Sequence, residues 1–378
     1  MKVKDFSTIK RGSSPRPIID YLSSVGYPWL KISDFSCGQR YIYDTKEFIK
    51  PSGLNHTRYV KKGTLIITNS ASPGIPIFLG KDMCLHDGFL YFEEINENII
   101  PMYLYYYFLS NRDKLVKQGN GSVFINLKKE ILENTEINIP SLDTQQHIVN
   151  IIGSIDDLIE KNLFIVNQID NYLTHEFEKL YQNRCCSKVI NELNLYISDF
   201  VANGSFQTLK ENTKILDNES YAYFIRNTDL KINNYEKYVD YNTYEFLKKS
   251  KLFGNEILIS NVGDVGSVFL APKLDKPMTL GNNMILVTYE NHNDNYYLYF
   301  YFKSDYGQFA LSGITAGSAQ QKFNKTDFKK ISIAFPNDNL LKEFNDKAEI
   351  LMEIYNNYII NNKKLTVLKQ KYLNKFFG

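Results

Sequence analysis

The chain has 378 residues, 43% of them apolar and 23% charged, with a formal net charge of +2. Such a composition excludes wholesale disorder and low-complexity repeats and leaves room for two or three folded domains. No apolar run reaches the ~18 residues of a membrane span, and Met1-Lys2-Val3-Lys4-Asp5 leads into no signal-peptide core, so the expectation is a cytoplasmic protein.

Residues 1–140 carry 18 basic and 14 acidic side chains and read as a mixed α/β domain. Lys10-Arg11 leads into a polar loop, Gly12-Ser13-Ser14-Pro15-Arg16. Leu65-Ile66-Ile67-Thr68 and Ile75 to Leu79 are short apolar stretches between Gly, Asn and Pro, which is strand-and-turn punctuation. Tyr103-Leu104-Tyr105-Tyr106-Tyr107-Phe108 predicts a short buried helix, and Gly119-Asn120-Gly121-Ser122 a second polar loop. Past Pro140, Asp143 and Gln146 have the spacing of a capping box. Apolar residues then recur at sevens (Ile152, Ile159, Val166, Leu173, Leu180), which predicts a long coiled-coil helix over 141–182. Vicinal Cys185-Cys186, with Cys37 and Cys84, fit neither a disulfide framework nor a zinc spacing. They are expected to be reduced and structural.

The second half repeats the first. Gly204-Ser205, Leu258-Ile259-Ser260-Asn261 and Gly266 follow Gly12-Ser13, Ile66-Ile67-Thr68-Asn69 and Gly74 at an offset of 192, and Tyr297 to Phe302 follows the aromatic run at 194. Gly317-Ser318 and Pro336 follow Gly121-Ser122 and Pro140 at 196. Residues 183–336 therefore predict a second mixed domain, and Phe344, Leu351, Tyr358, Leu365 and Tyr372 a second long helix over 337–378. The first helical segment is net acidic and the second net basic, so the two are expected to pair antiparallel, giving an α+β fold: two tandem mixed domains with strand-rich cores joined by two long helices with pseudo-twofold symmetry.

No Walker A loop, zinc-protease helix, nucleophile elbow, dinucleotide fingerprint or adenine-methyltransferase tetrapeptide occurs, and the five histidines are scattered, so no catalytic, cofactor-binding or metal site is expected in this chain. The matched polar loops instead carry the residue types that bond phosphate oxygens and base edges. In the first half these are Lys10, Arg11, Ser13, Ser14, Arg16, Asn69, Asn120 and Ser122. In the second they are Gly204, Ser205, Gln207, Arg226, Asn227, Asn261, Ser318, Gln320, Gln321 and Lys322. Arg226 is the only arginine after Arg184, which makes its two-pronged donor edge a candidate guanine reader.

The entry into the first long helix, Ile139-Pro140-Ser141-Leu142-Asp143-Thr144-Gln145-Gln146-His147-Ile148, resembles the Ile-Pro-x-Leu-x-x-Gln-x-x-Ile that closes a target-recognition domain in specificity subunits of type I restriction-modification systems. With the duplication, the resemblance covers nearly the whole chain; the second copy, Phe335-Pro336-Asn337-Asp338-Asn339-Leu340, lacks the glutamine. The resemblance implies a non-catalytic, sequence-specific DNA-binding subunit in which each mixed domain reads half of a bipartite site and the helices set the spacer. It also implies methyltransferase subunits that use S-adenosylmethionine and motor-nuclease subunits that use ATP and Mg. The competing readings are a coiled-coil adaptor with two protein-binding domains and, further off, a self-contained restriction enzyme.

Overall fold

The computed structural model describes residues 1–34, 38–117, 126–317 and 320–378. The chain divides into two units, Met1–Lys161 with Asn361–Gly378, and Asn162–Ile360. Each unit therefore holds one mixed domain and a part of both long helices.

In the first unit a five-stranded sheet runs in the order Thr8–Arg11, Phe89–Glu93, Leu65–Thr68, Pro76–Leu79, Tyr41–Ile42, antiparallel except for the last pair. Leu65-Ile66-Ile67-Thr68 is buried throughout, because both faces of the sheet are covered. Strand alternation divides the residues between two cores. Leu65, Ile67, Phe78, Leu90 and Phe92 meet the aromatic helix Pro101–Ser110. Ile66, Ile77, Leu79, Phe89 and Tyr91 meet Leu30, Val60, Met83 and Leu85 of a second five-stranded sheet.

The second unit repeats the plan with a four-stranded sheet, Leu195–Asp199, Met284–Tyr289, Ile257–Ser260, Val268–Leu270, all antiparallel. Ile257, Ile259, Ile285 and Val287 pack with the aromatic helix Asn295–Lys303, while Leu258, Met284 and Leu286 face Ile225, Leu252, Met278 and Leu280 of a separate sheet. The aromatic helices are tied down alike: Tyr103 donates to Asn138 O at 3.0 Å and Tyr297 to Ala334 O at 2.6 Å.

The long helices span Leu142–Gln182 and Asp338–Phe377. Their caps are Ser141, whose Oγ accepts from Thr144 N at 3.4 Å, and Asn337, whose Oδ1 accepts from Leu340 N at 3.0 Å. The capping box expected of Asp143 and Gln146 does not form, because Gln146 turns along the helix and donates to Asn150 Oδ1. Gln145, fully buried, clamps the helix instead: its Nε2 donates to Asn98 O and Pro140 O, and its Oε1 accepts from Ile100 N at 2.9 Å. The glutamine missing from the second copy is replaced one turn further on. Asn345 Oδ1 accepts from Tyr297 N at 3.0 Å and its Nδ2 donates to Asp294 O at 3.5 Å, so the same helix start is held by a shorter amide.

Within each unit the helices run antiparallel. In the first, Ile148 and Ile152 share a core with Leu373 and Phe377, Asp156 meets Lys369 at 2.7 Å, and Asn362 Nδ2 donates to Ile159 O at 3.2 Å. In the second, Phe177 packs on Phe344 and Glu176 meets Lys347 at 2.9 Å, a contact that holds the Glu176 carboxyl below the usual range. The seam of the second helix is rotated from the expected stripe. Phe344, Ala348, Met352, Asn362, Leu373 and Phe377 are buried, whereas Leu351, Tyr358, Leu365 and Tyr372 are only partly so. Phe344, Asn362 and Leu373 lie 18 and 11 residues apart, spacings that follow 3.6 residues per turn rather than the 3.5 of a strict heptad. Of the cysteines, Cys84 is buried, which pushes its thiol up to about 11, and Cys185 and Cys186 are free and exposed; Cys37 lies outside the described residues.

Candidate nucleic-acid interface

In the first unit the candidates gather where the edge strand Thr8–Arg11 leaves its sheet. Lys10 is ion-paired with Glu93 on the neighbouring strand, and Arg11 Nε donates to Asp87 O at 2.8 Å. The chain can then turn only because residue 12 is glycine: a Cβ there would sit 2.1 Å from His86 O. Ser13 is built into the turn, its Oγ donating to His56 O at 3.2 Å and its carbonyl accepting from Thr57 Oγ1 at 2.7 Å. Ser14 Oγ lies 3.3 Å from Asp87 Oδ1, and the exposed Arg16 brings Nη2 within 3.9 Å of Asp87 Oδ2. Asn69, only 6% exposed, donates from Nδ2 to Asp87 O at 3.2 Å. Arg11, Ser14, Arg16 and Asn69 thus converge on Asp87. Asn120 and Ser122 lie outside the described residues.

The hub, His86-Asp87-Gly88, was not among the residues expected from sequence. Its signal was an Asp-Gly pair just before an apolar strand, a turn signature. His86 Nδ1 stands 2.9 Å from both Gly88 N and Asp87 Oδ1. Burial pushes the His86 imidazole below its ordinary value, against the opposing pull of the Asp87 carboxylate.

In the second unit Arg226, Asn227, Asn261, Gln321 and Lys322 lie about the turn between strands Ile257–Ser260 and Val268–Leu270. Asn227 Nδ2 reaches Ser260 Oγ (3.3 Å) and Asp264 Oδ2 (3.1 Å). Asp264 also accepts from Ser267 Oγ at 2.6 Å and meets Lys231 at 2.7 Å, and chiefly the Lys231 ammonium pushes its carboxyl down to about 2. Gly263 N donates to Gln321 O, and Lys322 forms antiparallel bridges with Val262 and Ala316. Arg226 binds Asp229 in a fork, Nε to Oδ2 at 2.9 Å and Nη2 to Oδ1 at 2.5 Å. Gln320 is exposed beside this cluster, and Ser318 lies outside the described residues.

Gly204, Ser205 and Gln207 belong to another part of the unit. Ser205 caps the short helix Phe206–Asn212, and Gln207 donates to Glu211 at 2.9 Å. Strand pairing shows that Gly204-Ser205 is not the structural counterpart of Gly12-Ser13. Arg11 pairs with Leu90 and Asp199 with Ile285, so the counterpart of Arg11 is Asp199, and Gly204 comes four residues beyond the position matching Gly12.

Asn69 and Asn261 are true counterparts. Asn69 N donates to Gly88 O at 2.9 Å and accepts through its carbonyl from Leu127 N at 2.8 Å; Asn261 N donates to Asn283 O at 3.1 Å and its carbonyl accepts from Phe323 N at 3.1 Å. Both leave a buried Oδ1 with no hydrogen-bond partner among the described residues, as does Asn227. The neighbouring turns match too. Gly74 (φ +82°) and Gly266 (φ +92°) take left-handed backbone, and each turn is held from behind by a long side chain, Arg112 Nε on Pro73 O and Gln308 Nε2 on Gly266 O, both at 2.9 Å. What the arrangement offers chemically is a frame of fixed backbone with amide, hydroxyl and cationic groups at the strand ends of each sheet, suited to hydrogen-bonding a polyanion with polar edges.

A twice-built α/β unit carrying such a loop frame defines a duplicated recognition module. The family described as type I restriction modification DNA specificity domain matches residues 1–171 and 197–370, and the chain belongs to it. Among curated proteins, the type I restriction enzyme MjaIX specificity subunit of Methanocaldococcus jannaschii is 30% identical over 174 residues. That alignment covers 42% of this chain and 38% of the length of that relative. Among solved structures, the S subunit of a type I restriction-modification system from M. genitalium shares the fold, with a TM-score of 0.62 at 14% identity over 100% of this chain and 95% of that one. The HsdS subunit from Thermoanaerobacter tengcongensis gives a TM-score of 0.37 at 13% identity, covering 100% and 96%. No helix among the described residues is long and apolar enough to cross a membrane, and none of their side chains form a group of three or more His, Cys, Asp or Glu able to hold a metal.

Proposed function

We propose that this chain is the DNA-reading subunit of a type I restriction-modification complex, with each unit binding one half of a bipartite double-stranded site. The observation that carries the reading is the recurrence of one loop frame in both units: the Asn69 and Asn261 bridges and the Gly74 and Gly266 turns. In this reading the chain transfers no methyl group and cuts no DNA. Its partners, two methyltransferase subunits and motor-nuclease subunits, bring S-adenosylmethionine and ATP with Mg, in the cytoplasm. The long helices set the spacer between half-sites and dock the methyltransferases.

The test is methylation-sensitive sequencing of host DNA with the gene present and deleted. A split motif should lose methylation on deletion, and replacing residues 183–335 by another recognition domain of the family should change one half of that motif and preserve the other. An unchanged methylome, or a DNA affinity indifferent to salt, would favour the adaptor reading, because counterion release makes DNA binding fall steeply with ionic strength.

A further inference from the structure

Phe206 is 85% exposed at the start of the short helix Phe206–Asn212, between two polar candidates, Ser205 and Gln207. The segment beneath it is fixed. Asp199 Oδ1 accepts from Ala202 N at 2.8 Å, Asn203 Nδ2 reaches Phe200 O and Ser250 Oγ at 2.9 Å, and Asn203 Oδ1 takes Lys249 N at 2.8 Å. Ser205 Oγ accepts from Thr208 N at 3.2 Å, and Leu209 is buried with Phe224, Val239 and Leu247. Phe200 also turns inward, its ring edge-on to Phe224. The same short stretch buries Leu209 and turns Phe200 partly inward, while Val201 (62% exposed) and, further out, Phe206 stand in solvent, Phe206 on a rigid base. Around it Lys210, Lys248 and Lys249 are exposed, and the Asn203 bridge sets Lys249 against the turn that leads to Phe206.

An exposed phenyl ring forgoes the stabilisation of burial, and beside lysines it is matched to a ligand with an anionic backbone and stacked aromatic faces. We propose that Phe206 is a wedge: as the second unit closes on duplex DNA, the ring enters one base step and unstacks it while the lysines lie along the phosphates. This inference rests on the DNA reading above and deepens it. Unstacking is easiest at pyrimidine–purine steps, so Phe206 gives this unit a preference for a deformable step without a hydrogen bond to any base.

The experiment uses the full-length chain co-purified with its methyltransferase subunits and duplexes of the motif identified by sequencing, with 2-aminopurine placed at successive positions of the second half-site. Wild type should brighten at one step. Phe206→Ala should abolish that rise and weaken binding about ten-fold, with the salt slope unchanged because no phosphate contact is removed. Phe206→Leu, still an apolar wedge, should keep most of both, and both variants should unfold at the wild-type temperature because the ring is already in water. A Phe206→Ala complex with wild-type affinity and fluorescence overturns the wedge and leaves the DNA reading standing, and so does one that binds weakly yet still brightens. A wild-type complex with no preference among duplexes overturns the reading and the wedge with it.

Discussion

Arg226 presents one edge of its guanidinium, Nε and Nη2, to both oxygens of Asp229, a carboxylate that also accepts from Arg226 N and is almost wholly buried. A fork used this way orders the start of the short helix Asn227–Ile232, and with it Asn227 and Lys231, which hold Asp264 together with Ser267. Arg226→Ala should therefore destabilise the chain by about 2–3 kcal/mol in denaturant unfolding, because it leaves a buried carboxylate short of two charge-assisted bonds. Arg226→Lys should recover only part, since an ammonium cannot make the paired contact. An arginine whose main partner is a DNA base would instead leave stability unchanged and relax one base position. The scarcity of arginine made the residue stand out in the sequence. The acid that engages it, three positions along, was equally visible, but whether a fork closes on its own helix or on a ligand depends on side-chain direction, which composition and spacing do not carry. Asp87 escaped notice for a related reason: its role as a hub comes from the turn at Gly12–Ser14 and from Asn69 meeting it, segments far apart in the chain.

At the scale of elements, the long-helix pairing of the first unit contains a buried ion pair that the same place in its repeat lacks. Asp156 accepts from Tyr106 Oη at 2.8 Å and meets Lys369 at 2.7 Å, with both charged groups largely buried. The matching positions of the second unit, Phe300, Met352 and Leu173, are all apolar and buried in one core. Lys369→Met alone should cost about 3–5 kcal/mol, because it strands a buried carboxylate. Changing Tyr106, Asp156 and Lys369 together to the Phe, Met and Leu of the repeat should restore stability to within about 1–2 kcal/mol of wild type, read by thermal or denaturant unfolding. A triple variant as unstable as the single one would show that the ionic cluster is needed for the helix pairing itself. The elements that bear these residues were the most legible part of the sequence. Leu65–Thr68, Ile257–Ser260, the two aromatic helices and both long helices follow from apolar runs and periodicity that few alternatives satisfy. Less legible were features decided by contact: the cap at Ser141 in place of Asp143, the amide clamp moved from Gln145 to Asn345, and the register in which Arg11 matches Asp199. A two-residue sequence match such as Gly-Ser carries no information about strand pairing, and only the hydrogen-bond ladder exposes the false alignment.

For the whole molecule, the proposal that the helices set the spacer makes their length a variable that DNA can report. Inserting seven residues after Lys161 and seven after Ile360, where the chain passes from one unit to the other, lengthens each helix by roughly 10 Å, or about three base pairs at ~3.4 Å each. The preferred spacer should grow by that amount. Length is only part of the demand, because three base pairs also turn one half-site by about 100° around the duplex at ~10–10.5 base pairs per turn, a rotation that lengthening a helix does not supply. Twisting of the DNA must absorb the difference, so affinity should fall even as the spacer preference shifts. A four-residue insertion adds ~6 Å, about two base pairs, and enters the helix pairing as a stutter, so its loss of affinity should be accompanied by a lower unfolding temperature. Methylation sequencing of cells carrying each variant reads the spacer directly. If both variants kept the wild-type spacer, helix length would not be what measures the distance between half-sites, and the DNA would have to be held by some other part of the complex.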